Sequence, residues 1–162
     1  RNVTGVQTCA LPISLYPGRF ETGLTPTTTF DGERLYREGR EPDEAEVARR
    51  LEAYWRPYHA KLRQSLDAIR AEHGYALLLD AHSIRAEIPA LFSGRLPDIN
   101  VGTADFASAS PAVTDALQAE LEAQDGFTWV INGRFKGGWT TRHYGRPAEQ
   151  VHAVQFELVQ AA

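Results

Sequence analysis

The sequence predicts an α/β fold: an open, mixed, mostly parallel sheet flanked by helices. Three observations carry that prediction. Strand-length apolar runs at 74–83, 99–103, 128–132 and 151–159 are interleaved with helical stretches at 43–73 and 111–124, as in layered α/β folds. The run Tyr75-Ala76-Leu77-Leu78-Leu79 is continuous rather than alternating, which suits a strand buried inside a parallel sheet. It then breaks into Asp80-Ala81-His82-Ser83, polar residues at the carboxyl end of a strand, where open α/β sheets bind their ligands.

A chain of 162 residues is long enough for one domain with a core. Its 43% hydrophobic and 23% charged fractions are those of an ordinary globular protein. The net charge of -4 argues against general nucleic-acid binding, which leaves a basic footprint. No apolar run approaches the ~18 residues of a membrane span. Cys9 is the only cysteine, so neither an internal disulfide nor a thiolate metal cluster can form. A cytoplasmic location is the expectation. The chain has no methionine and therefore no encoded start residue, so it is expected to be processed or a fragment.

In chain order, residues 1–14 fit no element of the predicted fold. Val3 to Ile13 resembles the conceptual translation of a sequencing-library adapter, so residues 1–14 are set aside as non-native and residues 15–162 are taken as the C-terminal part of a single domain. Leu15 to Gly39, with Thr25-Pro26-Thr27-Thr28-Thr29 and Asp31-Gly32, reads as a long loop. Its Arg19 and Thr22 are candidates for substrate contact or simple solvent-facing residues. From Asp43, apolar residues Val47, Leu51, Tyr54, Tyr58, Leu62, Leu66 and Ile69 recur every three or four positions, one face of a helix. Gly74 suits its end, and Pro57 predicts a kink or break within it. His59, among Tyr54, Trp55 and Tyr58, reads as a packing residue. Pro89, Gly94 and Pro97 break up 84–98. Val113, Leu117 and Leu121 give the second helix its apolar face, and Val154, Phe156 and Leu158 alternate with Gln155 and Glu157 along the last strand.

Three groups carry chemistry. Asp80 and His82 share a face if the strand persists that far. A carboxylate beside a metal-bound histidine fixes its tautomer, so His82 is a candidate metal ligand with Asp80 and Ser83 as its neighbours. A satisfied histidine at a strand end is the alternative, because catalytic zinc takes three protein ligands and no HExxH spacing occurs. The second group, Asn132 to Arg146, holds Arg134, Lys136, Arg142 and Arg146, and no acid occurs from Gly126 to Ala148. With Gly137-Gly138 and interleaved aromatics, it suits a pocket for a small anion or else a solvated loop. The third is Glu157, either solvent-facing or a general base in a cleft.

Taken together, the segments Leu35-Tyr36-Arg37, Tyr54-Trp55-Arg56-Pro57-Tyr58-His59, Asp80-Ala81-His82-Ser83-Ile84, Leu96-Pro97-Asp98-Ile99-Asn100-Val101-Gly102-Thr103, Asn132-Gly133-Arg134-Phe135-Lys136-Gly137-Gly138 and Thr141-Arg142-His143-Tyr144-Gly145 resemble the N-formylglutamate amidohydrolase (deformylase) family. The resemblance covers nearly everything from Leu15 to Gln160. It implies a zinc-carboxypeptidase-like α/β fold, incomplete at its N-terminus. The implied activity is metal-dependent hydrolysis of N-formyl-L-glutamate to glutamate and formate in histidine breakdown. It implies His82 as a ligand of a divalent metal, most simply Zn2+, and Glu157 as general base. Arg134, Lys136 and Arg142 become binding residues for a small anionic substrate. Family members carry further ligands in an N-terminal segment with a Pro-His motif that is absent here, so this chain alone is expected to be inactive and its sheet to expose an unpaired edge. Two other readings stand beside this one: a related amidohydrolase for another acyl-glutamate or acyl-aspartate, and a metal-free anion-binding module.

Overall fold

In the computed structural model, which describes residues 24–160, the chain divides into two compact units, residues 1–63 with 88–92 and residues 64–87 with 93–162. The expectations for residues 1–14, Cys9, Arg19 and Thr22 fall outside the described residues.

The first unit holds the start of the long helix. Asp43 caps α1 (Glu44–Arg50) by accepting from the Glu46 backbone N–H at 2.8 Å, which satisfies one of the orphan donors of a helix start. The Glu46 carboxylate then holds Arg49 and Arg50, each at 2.7 Å. The irregularity expected at Pro57 is a π-helical turn, Leu51–Trp55, placed just ahead of it, with the Arg56 N–H reaching back five residues to the Leu51 carbonyl. Proline has no N–H to donate and its ring crowds the carbonyl four residues earlier. A wider turn immediately upstream accommodates both, and α2 (Arg56–His73) continues beyond it. His59 is buried, with its ring 4.2 Å from that of Trp55, as a packing residue.

The second unit contains the sheet. Its strands are β1 (Ala76–Arg85), β2 (Ile99–Gly102), β3 (Trp129–Ile131) and β4 (Val151–Gln160). They lie in the order β1-β4-β2-β3. β1 runs parallel to β4 and β2 parallel to β3, while β2 and β4 are antiparallel, so the sheet is mixed and mostly parallel as expected. The helix α3 (Pro111–Ala123) covers one face. Its Val113, Leu117 and Leu121 pack with Ala109, Ile99, Val101, Trp129, Ile131, Val154 and Phe156, the alternate residues of β2, β3 and β4 that point that way. The short helix α4 (Trp139–Tyr144) lies over the opposite face, with Thr140, Thr141 and Tyr144 buried.

Two expectations about β1 are corrected. The strand does not stop at the acid but continues through Asp80 and His82 to Arg85. Nor is it buried on both faces: Leu77 and Leu79 are 42% and 58% exposed. Among the described residues β1 is an end strand of the sheet, and α3 sits over the strands at the other end, so a run that is apolar on both faces is covered on only one.

Candidate active site

The site forms because alternate residues of three neighbouring strands face the same way. Parallel pairing sets Asp80 beside Gln155 and His82 beside Glu157. Antiparallel pairing sets Asn100 beside Glu157 and Gly102 beside Gln155. The result is a polar patch, away from the α3 core, containing two acids, a histidine and two amides.

Each polar side chain has a defined role in that patch. The His82 ring nitrogen Nε2 lies 2.9 Å from Asp80 Oδ1. An ionised carboxylate only accepts, so Nε2 carries the hydrogen and Nδ1 is the nitrogen left to bind something else. This hydrogen bond raises the His82 pKa above the ordinary histidine value, against the opposing effect of burial. Burial raises the Glu157 pKa, while the charge of His82 and the amide of Gln155 pull it back down. A buried carboxylate with a raised pKa beside a histidine is the kind of group found at functional sites. Asp80 Oδ2 and Asn100 Oδ1 are buried without a hydrogen-bond partner among the described residues. Orphaned acceptors of this kind call for an explanation beyond packing.

The loop before α4 closes over the patch. Gly138 donates its backbone N–H to Gln155 Oε1 at 2.6 Å, and the Gln155 amide donates from Nε2 to Glu157 Oε1 at 2.9 Å. The approach is so close that a Cβ on Gly102 would sit 2.4 Å from the Gly137 nitrogen. Gly137 itself has φ +105, a conformation open essentially to glycine. Arg142, in α4, holds this turn from the other side, its Nε donating to the Gly137 carbonyl at 3.0 Å.

The chain has known relatives. The profile of the N-formylglutamate amidohydrolase family matches residues 10–162. The chain belongs to the N-formylglutamate amidohydrolase family. It is 54% identical over 147 residues to the N-formylglutamate deformylase of Pseudomonas putida, covering 91% of this chain and 55% of that protein. With the N-formylglutamate deformylase of Pseudomonas aeruginosa it shares 55% identity over 139 residues, covering 86% of this chain and 52% of that one. The chain thus spans about half the length of these curated relatives. Its fold superimposes on the crystal structure of N-formylglutamate amidohydrolase from Ralstonia eutropha JMP134 with a TM-score of 0.73 at 26% identity, covering 99% of this chain and 60% of that one.

Within this N-formylglutamate amidohydrolase framework the residues singled out in the sequence fall into distinct places. Asp80, His82 and Glu157 come together on one face. Ser83 does not join them: it is exposed on the other face of β1, where its Oγ accepts from Gln160 Nε2 at 2.9 Å. One residue beyond His82 on a strand is necessarily on the opposite face. Lys136 lies in a stretch without local acids, yet its ammonium pairs at 2.8 Å with Asp105 from the segment after β2, a partner invisible to a reading of nearby sequence. The Arg134 guanidinium lies 5.9 Å from the ring centroid of its neighbour Phe135. Gln155 and Asn100 are the site residues that sequence reasoning passed over. For Gln155 the signal was present, since strand alternation places it with Glu157.

No group of three His, Cys, Asp or Glu able to hold an ion exists among the described residues, so His82 with its Asp80 partner is at most one corner of a metal site. Residues 104–106 next to the site share left-handed backbone, with φ of 52, 56 and 68. They are tied by Asn132 Oδ1, which accepts from the Thr103 and Asp105 N–H groups at 2.9 and 3.3 Å. No described helix is long and apolar enough to cross a membrane.

Proposed function

We propose that the protein carrying this chain hydrolyses N-formyl-L-glutamate to L-glutamate and formate, as a cytoplasmic step of histidine breakdown. The observation that carries the reading is the Glu157 carboxylate, buried beside His82 on the face closed by the Gly137-Gly138 turn. The naming of relatives at 54% and 55% identity as N-formylglutamate deformylases supports the substrate.

In this scheme Glu157 takes a proton from water while the water oxygen bonds to the formyl carbon. The C–N bond then breaks as Glu157 passes that proton to the departing nitrogen. The released formic acid gives up its own proton to leave formate and the glutamate ammonium. The His82 ring favours the ionised form of Glu157, while burial and the Asp80 carboxylate oppose it. Arg142, held at the closing turn, and Arg134 are proposed to take the substrate carboxylates, a geometry for which guanidinium is suited. Lys136 contributes through its pairing with Asp105 by fixing the loop. A divalent metal, Zn2+ by expectation, with His82 as one ligand, supplies Lewis acidity at the carbonyl when bound. Because the described residues hold no three-ligand set, the 162-residue chain by itself is proposed to turn over no substrate.

The test is formate release from N-formyl-L-glutamate by the complete gene product containing this chain, with and without chelator. Release that is chelator-sensitive and lost in His82→Ala is the expected result. A folded, metal-replete protein that releases no formate but hydrolyses another N-acyl-glutamate or N-acyl-aspartate would redirect the assignment to that substrate.

A further inference from the structure

Gln155 makes more bonds than a strand residue needs. Its Oε1 accepts from the Gly138 backbone N–H at 2.6 Å and lies 3.4 Å from the Thr141 hydroxyl. A backbone N–H can only donate, so the orientation of the amide is fixed: Oε1 faces α4 and Nε2 faces Glu157 Oε1 at 2.9 Å. The side chain is 7% exposed, and the glutamate it holds is 9% exposed. Nothing in this arrangement can rotate without leaving a buried donor or acceptor unpaired.

We infer that Gln155 is the positioning residue of the hydrolytic site, locking Glu157 in rotation and tying it to the turn whose Gly137 carbonyl holds Arg142. This inference rests on the reading of Glu157 as the base. With Oε1 occupied as an acceptor of the Gln155 N–H, the proton taken from water goes to Oε2. The same oxygen returns it, so a single oxygen serves both halves of the reaction without a flip of the carboxylate. At its other end the amide oxygen pins Gly138, the residue preceding α4, so the base and the closing turn hold one relative geometry. Gly102 completes the device, being opposite Gln155 in β2 and lacking the Cβ that would push Gly137 away.

The two ends separate by substitution in the complete gene product. Gln155→Glu retains an oxygen for Gly138 and replaces the donor to Glu157 with an acceptor. Gln155→Leu removes both. In a mildly alkaline assay, Gln155→Glu is expected to lower kcat by about ten- to hundredfold, the usual scale for residues that orient a reactive group, with KM within about threefold of wild type. Gln155→Leu is expected to lower kcat similarly and to raise KM as well. A readout without turnover accompanies these: a Gln155 side-chain amide proton shifted downfield and slow to exchange in the wild type, lost in Glu157→Ala. Wild-type kcat in Gln155→Glu, or identical kcat and KM changes in both Gln155 variants, overturns the inference. If the wild type releases formate and Glu157→Gln retains full activity, what fails is the reading of Glu157 as base. If the wild type releases none, it is the substrate assignment that fails.

Discussion

The two faces of one sheet differ more than any two segments of the chain. On the α3 side, Val101, Val154, Phe156 and Leu121 exclude water and make no demands on charge. On the α4 side, the intervening residues of the same strands are Asp80, His82, Asn100, Gln155 and Glu157. Burying a carboxylate is costly unless it is hydrogen-bonded. The α4 face tolerates two because Gln155 holds Glu157 and His82 holds Asp80. A strand period of two thus allows one stretch, Val151–Gln160, to supply both a core and a reaction centre, and it assigns them to residues that can be changed one at a time.

The contrast is broken most sharply by Glu157→Gln. This change keeps the shape of the α4 face and removes the proposed base, so formate release by the complete gene product should fall about 10²–10⁴-fold, the range for general-base catalysis, with the melting temperature unchanged or slightly raised. Leu121→Ala is the opposite experiment. A buried leucine truncated in the α3 core should cost about 2–5 kcal/mol in denaturant unfolding while the remaining folded protein keeps its KM. If Leu121→Ala alters KM as much as stability, the two faces are not independent. Gly102→Ala falls between these cases, because its Cβ would meet the backbone of Lys136 and Gly137 at 2.6 and 2.4 Å. An overpacking cost of about 1–3 kcal/mol is expected, with a raised KM as the closing turn is displaced.

How much of this was legible in the sequence depends on how far each partner lies along the chain. The strands and α3 were visible because their periodicities are local: Val113, Leu117 and Leu121 announce a face wherever they occur. Asp80 and His82 were legible as candidates from β1 and Glu157 from β4, and the resemblance to a family supplied a reason to join them. The partner of Lys136 was not legible, since Asp105 is brought to it by three residues of left-handed backbone that no propensity predicts. Ser83 was misplaced next to His82 because a loop after a short strand was assumed, whereas β1 runs on to Arg85 and alternation carries Ser83 away. The half-exposed face of Leu77 and Leu79 had no signature either, because a continuous apolar run looks the same whether one or both of its faces are covered.

The smallest effect sharpens the comparison furthest, because each face carries one histidine of the sheet. His82, on the polar face, has its pKa raised by the hydrogen bond it donates to Asp80. His152, on the α3 face, is buried, and that burial lowers its pKa. Its Nδ1 accepts the backbone N–H of Ser110, the residue capping α3, at 3.2 Å, so the neutral ring is the form that fits. The linkage signs are opposite. For His82, stability is fully present below the ordinary value of 6.5 and is lost as pH rises through the raised folded value. For His152, stability is fully present above 6.5 and is lost as pH falls through the lowered folded value. Imidazole NMR titration of chelator-treated protein should therefore place the two midpoints on opposite sides of the ordinary histidine value. His152→Asn, which retains an acceptor, should flatten the acid side of the stability profile, and Asp80→Asn should flatten the alkaline side. Both changes are expected to be the smallest of all, and opposite in the pH range where they act. Midpoints on the same side of the ordinary value would mean that the two faces share one electrostatic environment and that the separation of core from chemistry stops at shape.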